Sequence, residues 1–189
     1  MAAVNATAKI MIIRHAEKPP ADGEPKGVTA DGEIDAESLT IQGWQRAGAL
    51  ACLFAPTRGP LQDAQLATPQ FLFASQSKDG SGSKRPLETI TPLAARLGLT
   101  PETHKKSDIG KVAALAMACG GVALVSWQHE DIPAIAGAIM GNSTSVPQTW
   151  PGHRFDVVWV FDLDPSSNHY TFKQVPQCLL AGDLPSPIS

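Results

Sequence analysis

Apolar residues fall into short blocks along this chain, separated by polar stretches rich in Pro and Gly. Lys9–Arg14 (KIMIIR) is an almost wholly apolar run rich in Ile, the pattern of a strand buried on both sheet faces. It stops abruptly at Arg14-His15. Residues 18–38 hold Pro19, Pro20, Gly23, Pro25, Gly27 and Gly32 among acidic residues and read as a long surface loop. Loops of that length beside a site are often functional. Leu39–Ala55 predicts a helix, with Thr40 as its cap and Leu39, Trp44, Ala47, Leu50 and Leu53 at helical spacing. Gln70–Ala74 predicts a second buried strand, and the Ser/Gly-rich stretch 75–83 must turn.

Arg85–Leu97 predicts a helix that tolerates Pro86 in its first turn and stops at Gly98. A further helix is expected over Ile109–Cys119, ended by Gly120-Gly121. Val122–Trp127 predicts a third buried strand, closing on Gln128-His129-Glu130. Ile132–Met140 reads as a short helix opened by Pro133. Arg154–Leu163 predicts a fourth strand, and His169–Val175 returns antiparallel after the turn at 164–168. Residues 1–7 and the last residues (DLPSPIS) read as loose tails.

Strands alternating with helices imply an α/β fold, a three-layer α/β/α sandwich with a mostly parallel central sheet. The 189 residues, with no internal repeat or long linker, fit one domain spanning 1–189, with its core at about 8–176. Ligands of such sheets bind at the carboxyl ends of strands. Two predicted strands end in histidines, at Arg14-His15 and at His129-Glu130, and a right-handed crossover brings both ends to one edge.

Composition narrows the function classes. Hydrophobic residues make up 43% of the chain, charged residues 17%, and the net charge is −3. Such a chain has no global attraction for nucleic acid or an anionic membrane. Cys52, Cys119 and Cys178 are far apart and odd in number, which argues against a disulfide framework or a zinc ribbon. Cys52 and Cys119 are expected as buried small hydrophobes. The N-terminus lacks the pattern of a signal peptide or membrane span, so the expected compartment is the cytoplasm.

In isolation, His15 reads as a strand-end histidine, Arg85 as a helix-start arginine, and Glu130 as an acid capping the next helix. Taken in order, the segments carry more. They are Arg14-His15-Ala16-Glu17-Lys18, then Leu39-Thr40-x-x-Gly43-x-x-Arg46-Ala47, then Ser81-x-x-x-Arg85-Pro86-x-x-Thr89, and then a buried strand closing on His129-Glu130. Together they resemble the histidine phosphatase superfamily, with its phosphoglycerate mutase-like fold, over about residues 9–164.

That resemblance implies a nucleophile at His15. It implies a phosphoryl group surrounded by Arg14, Arg85 and His129. Two guanidinium forks can hold phosphate oxygens bidentately. A neutral imidazole can attack phosphorus if its other nitrogen is held protonated, usually by a backbone carbonyl. No metal or other cofactor is required, since the arginines and His129 supply the positive charge. The expected partner is a small phosphorylated substrate or a phosphoprotein, with no nucleic acid or membrane. The oligomeric state stays open.

Three departures from the family pattern stand out. Ala16 replaces a glycine, Pro86 stands where alanine is common, and the proton donor is ambiguous. In the mutase-like branch the donor is a glutamate well after the second arginine, where Glu102 and Asp108 are the only nearby acids. In the acid-phosphatase branch it directly follows the second histidine, where Glu130 stands, with Asp131 next to it. The resemblance favours Glu130. The leading expectation is a phosphomonoester hydrolase. A phosphomutase of the same fold and a non-catalytic phosphate-ligand binding module are the alternatives.

Glu17 and Lys18 are expected on the loop surface, and Arg46 on the helix surface or paired with a loop acid. His104 and His169 are expected to face solvent. His153 and Arg154 read as structural, and Trp127, Trp150 and Trp159 as core or site-wall aromatics.

Overall fold

The structure, a computed structural model, describes residues 8–76 and 82–189. Ser81 of the third sequence segment and the tail at 1–7 lie outside them. In chain order the elements are β1 (Lys9–Arg14), α1 (Ile41–Phe54), β2 (Phe71–Ser75), α2 (Arg85–Leu97), β3 (Glu102–His104), α3 (Ile109–Ala118), β4 (Val122–Trp127), α4 (Ile132–Met140), β5 (Val157–Asp164) and β6 (His169–Pro176). The strands form one mixed sheet in the order β3-β2-β4-β1-β5-β6. Pairings from β3 through β1 are parallel, and β5 and β6 add antiparallel at one edge.

Alternation along β1 explains the three layers. Ile10 and Ile12 face α3 and α4, with Val112, Ala113, Ile135 and Trp159. Met11 and Ile13 face α1 and α2, with Leu50, Phe54, Ile90 and Leu93. A strand flanked by a layer on each side cannot alternate apolar with polar, which is why KIMIIR is almost continuous in its hydrophobicity.

Helix ends follow local chemistry. The Thr40 hydroxyl accepts from the Gly43 N–H at 3.1 Å and caps α1. Gly98 terminates α2 in the left-handed region at φ 65°, where a Cβ would be disfavoured. Gly43 is needed for a different reason. A Cβ there would meet the Glu17 carbonyl oxygen at 2.5 Å, so only glycine lets α1 lie against the chain just past β1.

Several expectations are corrected. The three-residue strand β3 was not legible, and it takes His104 out of solvent: that ring is 4% exposed and stacks on Phe73. Cys52 is exposed and Cys119 half-buried, so neither is a core hydrophobe; Cys52 lies off the buried face of α1. The stretch Arg154–Asp156 does not join β5, which begins at Val157. The C-terminal residues are not loose: Ile188 is buried in the core, and its N–H donates to Gln174 Oε1 at 2.9 Å. Among the described residues no helix is long and apolar enough to cross a membrane.

Candidate active site

β1 and β4 are parallel neighbours, with Arg14 opposite Trp127. The His15 N–H donates to the Trp127 carbonyl at 2.8 Å, one residue beyond the strand. This pairing places Arg14, His15, His129 and Glu130 at the same edge of the sheet.

His15 is 3% exposed, and its Nδ1 lies 2.7 Å from the Ala16 carbonyl oxygen. A carbonyl can only accept, so Nδ1 carries the hydrogen and Nε2 keeps its lone pair. Burial, and then the Arg14 charge, push the His15 pKa down to about 3. The ring is therefore neutral through the physiological range. The Ala16 N–H donates to Thr89 Oγ1 at 2.8 Å, and the Thr89 hydroxyl donates to the Arg85 carbonyl at 2.7 Å. The first turn of α2 thus holds the chain beside the nucleophile candidate.

Arg14 is fully buried. Its Nη1 donates to the carbonyls of Gly152 (2.5 Å) and Arg154 (3.2 Å), while its guanidinium carbon sits 3.8 Å from the centre of the Phe155 ring. Its Nε and Nη2 are buried without a partner among the described residues. Those two nitrogens form one edge of the guanidinium, the edge that grips an anion bidentately. Burial lowers the Arg14 pKa to about 10, against the opposing pull of Glu130 and Glu17, so it stays charged at neutral pH.

Arg85 begins α2 as expected, but its two terminal nitrogens are engaged by the loop, while Nε is buried without a partner among the described residues. Nη2 donates to the Ala36 carbonyl at 2.9 Å and lies 3.4 Å from Glu37 Oε2; Nη1 donates to Ser83 Oγ at 3.1 Å. Its charge still lowers the pKa of both Arg14 and His15. His129 Nδ1 lies 3.2 Å from Glu130 Oε2. Burial and then Arg14 lower the His129 pKa. Burial pushes the Glu130 carboxyl up, but a backbone N–H and the charges of His129, Lys106 and Lys18 outweigh it, and the net shift is downward.

The other acids weighed from sequence are occupied differently. Asp131 accepts from Gln128 Nε2 at 2.6 Å, Glu102 lies 2.9 Å from His104 Nε2, and Asp108 precedes α3.

Glu17 departs from the loop-surface role expected of it, and Arg46 takes the second of its two expected roles, pairing with a loop acid. Arg46 is 2% exposed, and its Nη2 lies 2.8 Å from Glu17 and 2.7 Å from Asp183. The expected loop acid is Glu17 itself, largely buried; Asp183 comes from the far end of the chain and no local pattern announces it. Phe155 and Gly152 were likewise missed, because nothing in an aromatic before a strand or a glycine in a loop marks contact with Arg14. Arg154 pairs with Asp156 at 2.7 Å, both buried. Trp127, Trp150 and Trp159 are buried.

No protein-family model and no curated protein matches the chain. Solved structures do. A mycobacterial glucosyl-3-phosphoglycerate phosphatase, solved with VO3, is 13% identical over 88% of this chain and 97% of its own, with a TM-score of 0.52. A phosphoserine phosphatase from Entamoeba histolytica, in complex with phosphoserine, is 13% identical over 87% of this chain and 94% of its own, at 0.52. A phosphoglycerate mutase from Plasmodium falciparum is 11% identical over 97% of this chain and all of its own, at 0.54.

The chain has the phosphoglycerate mutase-like α/β fold. The solved structures named above that share this fold are mostly phosphatases. In this chain the fold's strand-end edge carries His15, Arg14 and His129 in the arrangement just described.

Proposed function

We propose that this protein is a phosphomonoester hydrolase that works through a covalent phosphohistidine on His15. One observation carries the reading: His15 is neutral, with Nδ1 committed to a carbonyl and Nε2 free, beside a buried guanidinium with an unpartnered edge. That pairs a nucleophile with an anion grip.

In the first step the Nε2 lone pair attacks phosphorus and the bond to the substrate oxygen breaks. Arg14 holds two phosphoryl oxygens, Arg85 contributes long-range positive charge, and His129 donates toward the equatorial oxygens as their charge redistributes. The departing oxygen takes a proton from Glu130. The carboxyl is ionised in the free protein; the arriving phosphate dianion raises its proton affinity, so that it takes up this proton from solvent as the substrate binds. In the second step water attacks the phosphohistidine, Glu130 takes back a proton, and phosphate leaves. Splitting one displacement in two lowers each barrier. The substrate class is a small phosphorylated metabolite or a phosphoprotein.

Substrate trapping followed by an alkaline quench tests this. An acid-labile phosphoramidate should appear on His15, and His15→Ala should lose both label and turnover. Near wild-type turnover in that variant would refute the reading. The likeness to a phosphoglycerate mutase keeps phosphoryl transfer to a second alcohol as the alternative. Adding an acceptor alcohol to the trapped phosphoenzyme separates the two by product.

A further inference from the structure

The way Arg14 is held raises a question that its hydrogen bonds leave open. Its bonds to Gly152 and Arg154 both use Nη1, so no hydrogen bond among the described residues holds the Nε/Nη2 edge itself. The Phe155 ring backs the guanidinium plane instead, lying 3.8 Å from the guanidinium carbon. The same ring stands 6.2 Å from the His15 ring, inclined at 55°. One aromatic face therefore borders both groups that must meet the phosphoryl group.

Phe155 is itself held from both sides. Arg154 Nε donates to Asp156 Oδ1 at 2.7 Å, and Arg154 Nη2 donates to the Ser186 carbonyl at 2.7 Å. Asp156 Oδ2 accepts from the Leu184 N–H at 2.7 Å, and the Asp156 carbonyl accepts from the Gln177 N–H at 2.7 Å. The C-terminal segment thus anchors both neighbours of Phe155. These bonds tie Arg154 and Asp156 to the C-terminal segment, in the stretch just before β5 where the expected strand had begun at Arg154.

We propose that Phe155 is a positioning residue that sets the plane of Arg14, so that its Nε/Nη2 edge faces the anion above His15. The inference rests on the phosphatase reading of the site and adds to it a residue that acts through Arg14. A guanidinium over an aromatic face gains roughly 0.5–2 kcal/mol, with the higher values at desolvated sites like this one. Losing the ring should therefore weaken anion binding roughly two- to thirtyfold.

The experiment measures inorganic phosphate binding by calorimetry, together with kcat and KM on an activated aryl phosphate. Phe155→Leu should weaken phosphate binding and raise KM by that factor, while Phe155→Tyr, which keeps the ring, stays near wild type. If the leucine variant does not fold, Phe155→Met makes the same comparison with a flexible chain of similar bulk. In an Arg14→Lys background Phe155→Leu should add little, because the ring acts through the guanidinium. Equal losses in both backgrounds, equal losses for Leu and Tyr, or wild-type binding by the leucine variant would each overturn the proposal. Unchanged phosphate binding in Arg14→Ala would instead overturn the reading of the site beneath it.

Discussion

At the scale of single residues, environment decides the roles of otherwise ordinary groups. His15 is neutral because it is buried next to Arg14, and its free nitrogen is Nε2 because the oxygen beside Nδ1 belongs to a backbone carbonyl. Glu130 is half-exposed and its pKa is lowered, the opposite of a carboxyl held protonated in an apolar pocket. Its value as a donor then depends on the leaving group. An alkyl alkoxide needs a proton as it departs; an activated aryl oxide does not. Glu130→Gln should slow phosphoenzyme formation from alkyl phosphates by roughly 10²–10⁴-fold and from aryl phosphates far less. A leaving-group series in both proteins measures this. A uniform loss would make Glu130 an electrostatic residue, and no loss would move attention to Asp131, the next acid along the chain.

At the scale of elements, the site depends on two helices that lie against the chain just past β1. α1 approaches closely at Gly43, and α2 reaches across through Thr89, whose hydroxyl takes the Ala16 N–H. Thr89→Val keeps the shape but leaves that buried N–H without a partner, which should cost about 1–3 kcal/mol of stability. The Ala16 carbonyl orients His15, so kcat should fall as well, while Thr89→Ser should retain most of both. Denaturant midpoints and kcat on one substrate check the pair. A valine variant with reduced stability but unchanged kcat would mean that α2 supports the fold without guiding the nucleophile. The helix boundaries here were largely legible, since capping residues and apolar periodicity are local signals. β3 was not, because three residues carry no periodicity and their pairing with β2 is a long-range event.

At the scale of the whole molecule, burying a neutral histidine ties stability to pH. The unfolded chain protonates His15 below pH 6.5, but the folded protein does so only near pH 3. Stability contributed by the neutral ring is therefore complete above pH 6.5 and declines as pH falls toward 3. The slope is at most about 1.4 kcal/mol per unit. Between pH 6.5 and 4.5 the wild type should lose up to about 2.7 kcal/mol more than His15→Asn, as read from urea midpoints. Parallel losses in the two proteins would show that His15 already titrates normally in the fold.

The order of apolar blocks was enough to determine the α/β architecture, because a strand buried on both faces must be continuously hydrophobic and a core-facing helix must repeat every three to four residues. It also located Arg14, His15, Arg85, His129 and Glu130 at the ends of strands and the start of a helix. The tertiary structure alone decided how these groups are held. Phe155 under Arg14, Asp183 against Arg46 and Thr89 against Ala16 join segments far apart in the chain. Such contacts exist only after the sheet has closed, and neither partner needs a local sequence pattern to make them. The same closure buried His104 and drew the C-terminal residues into the core.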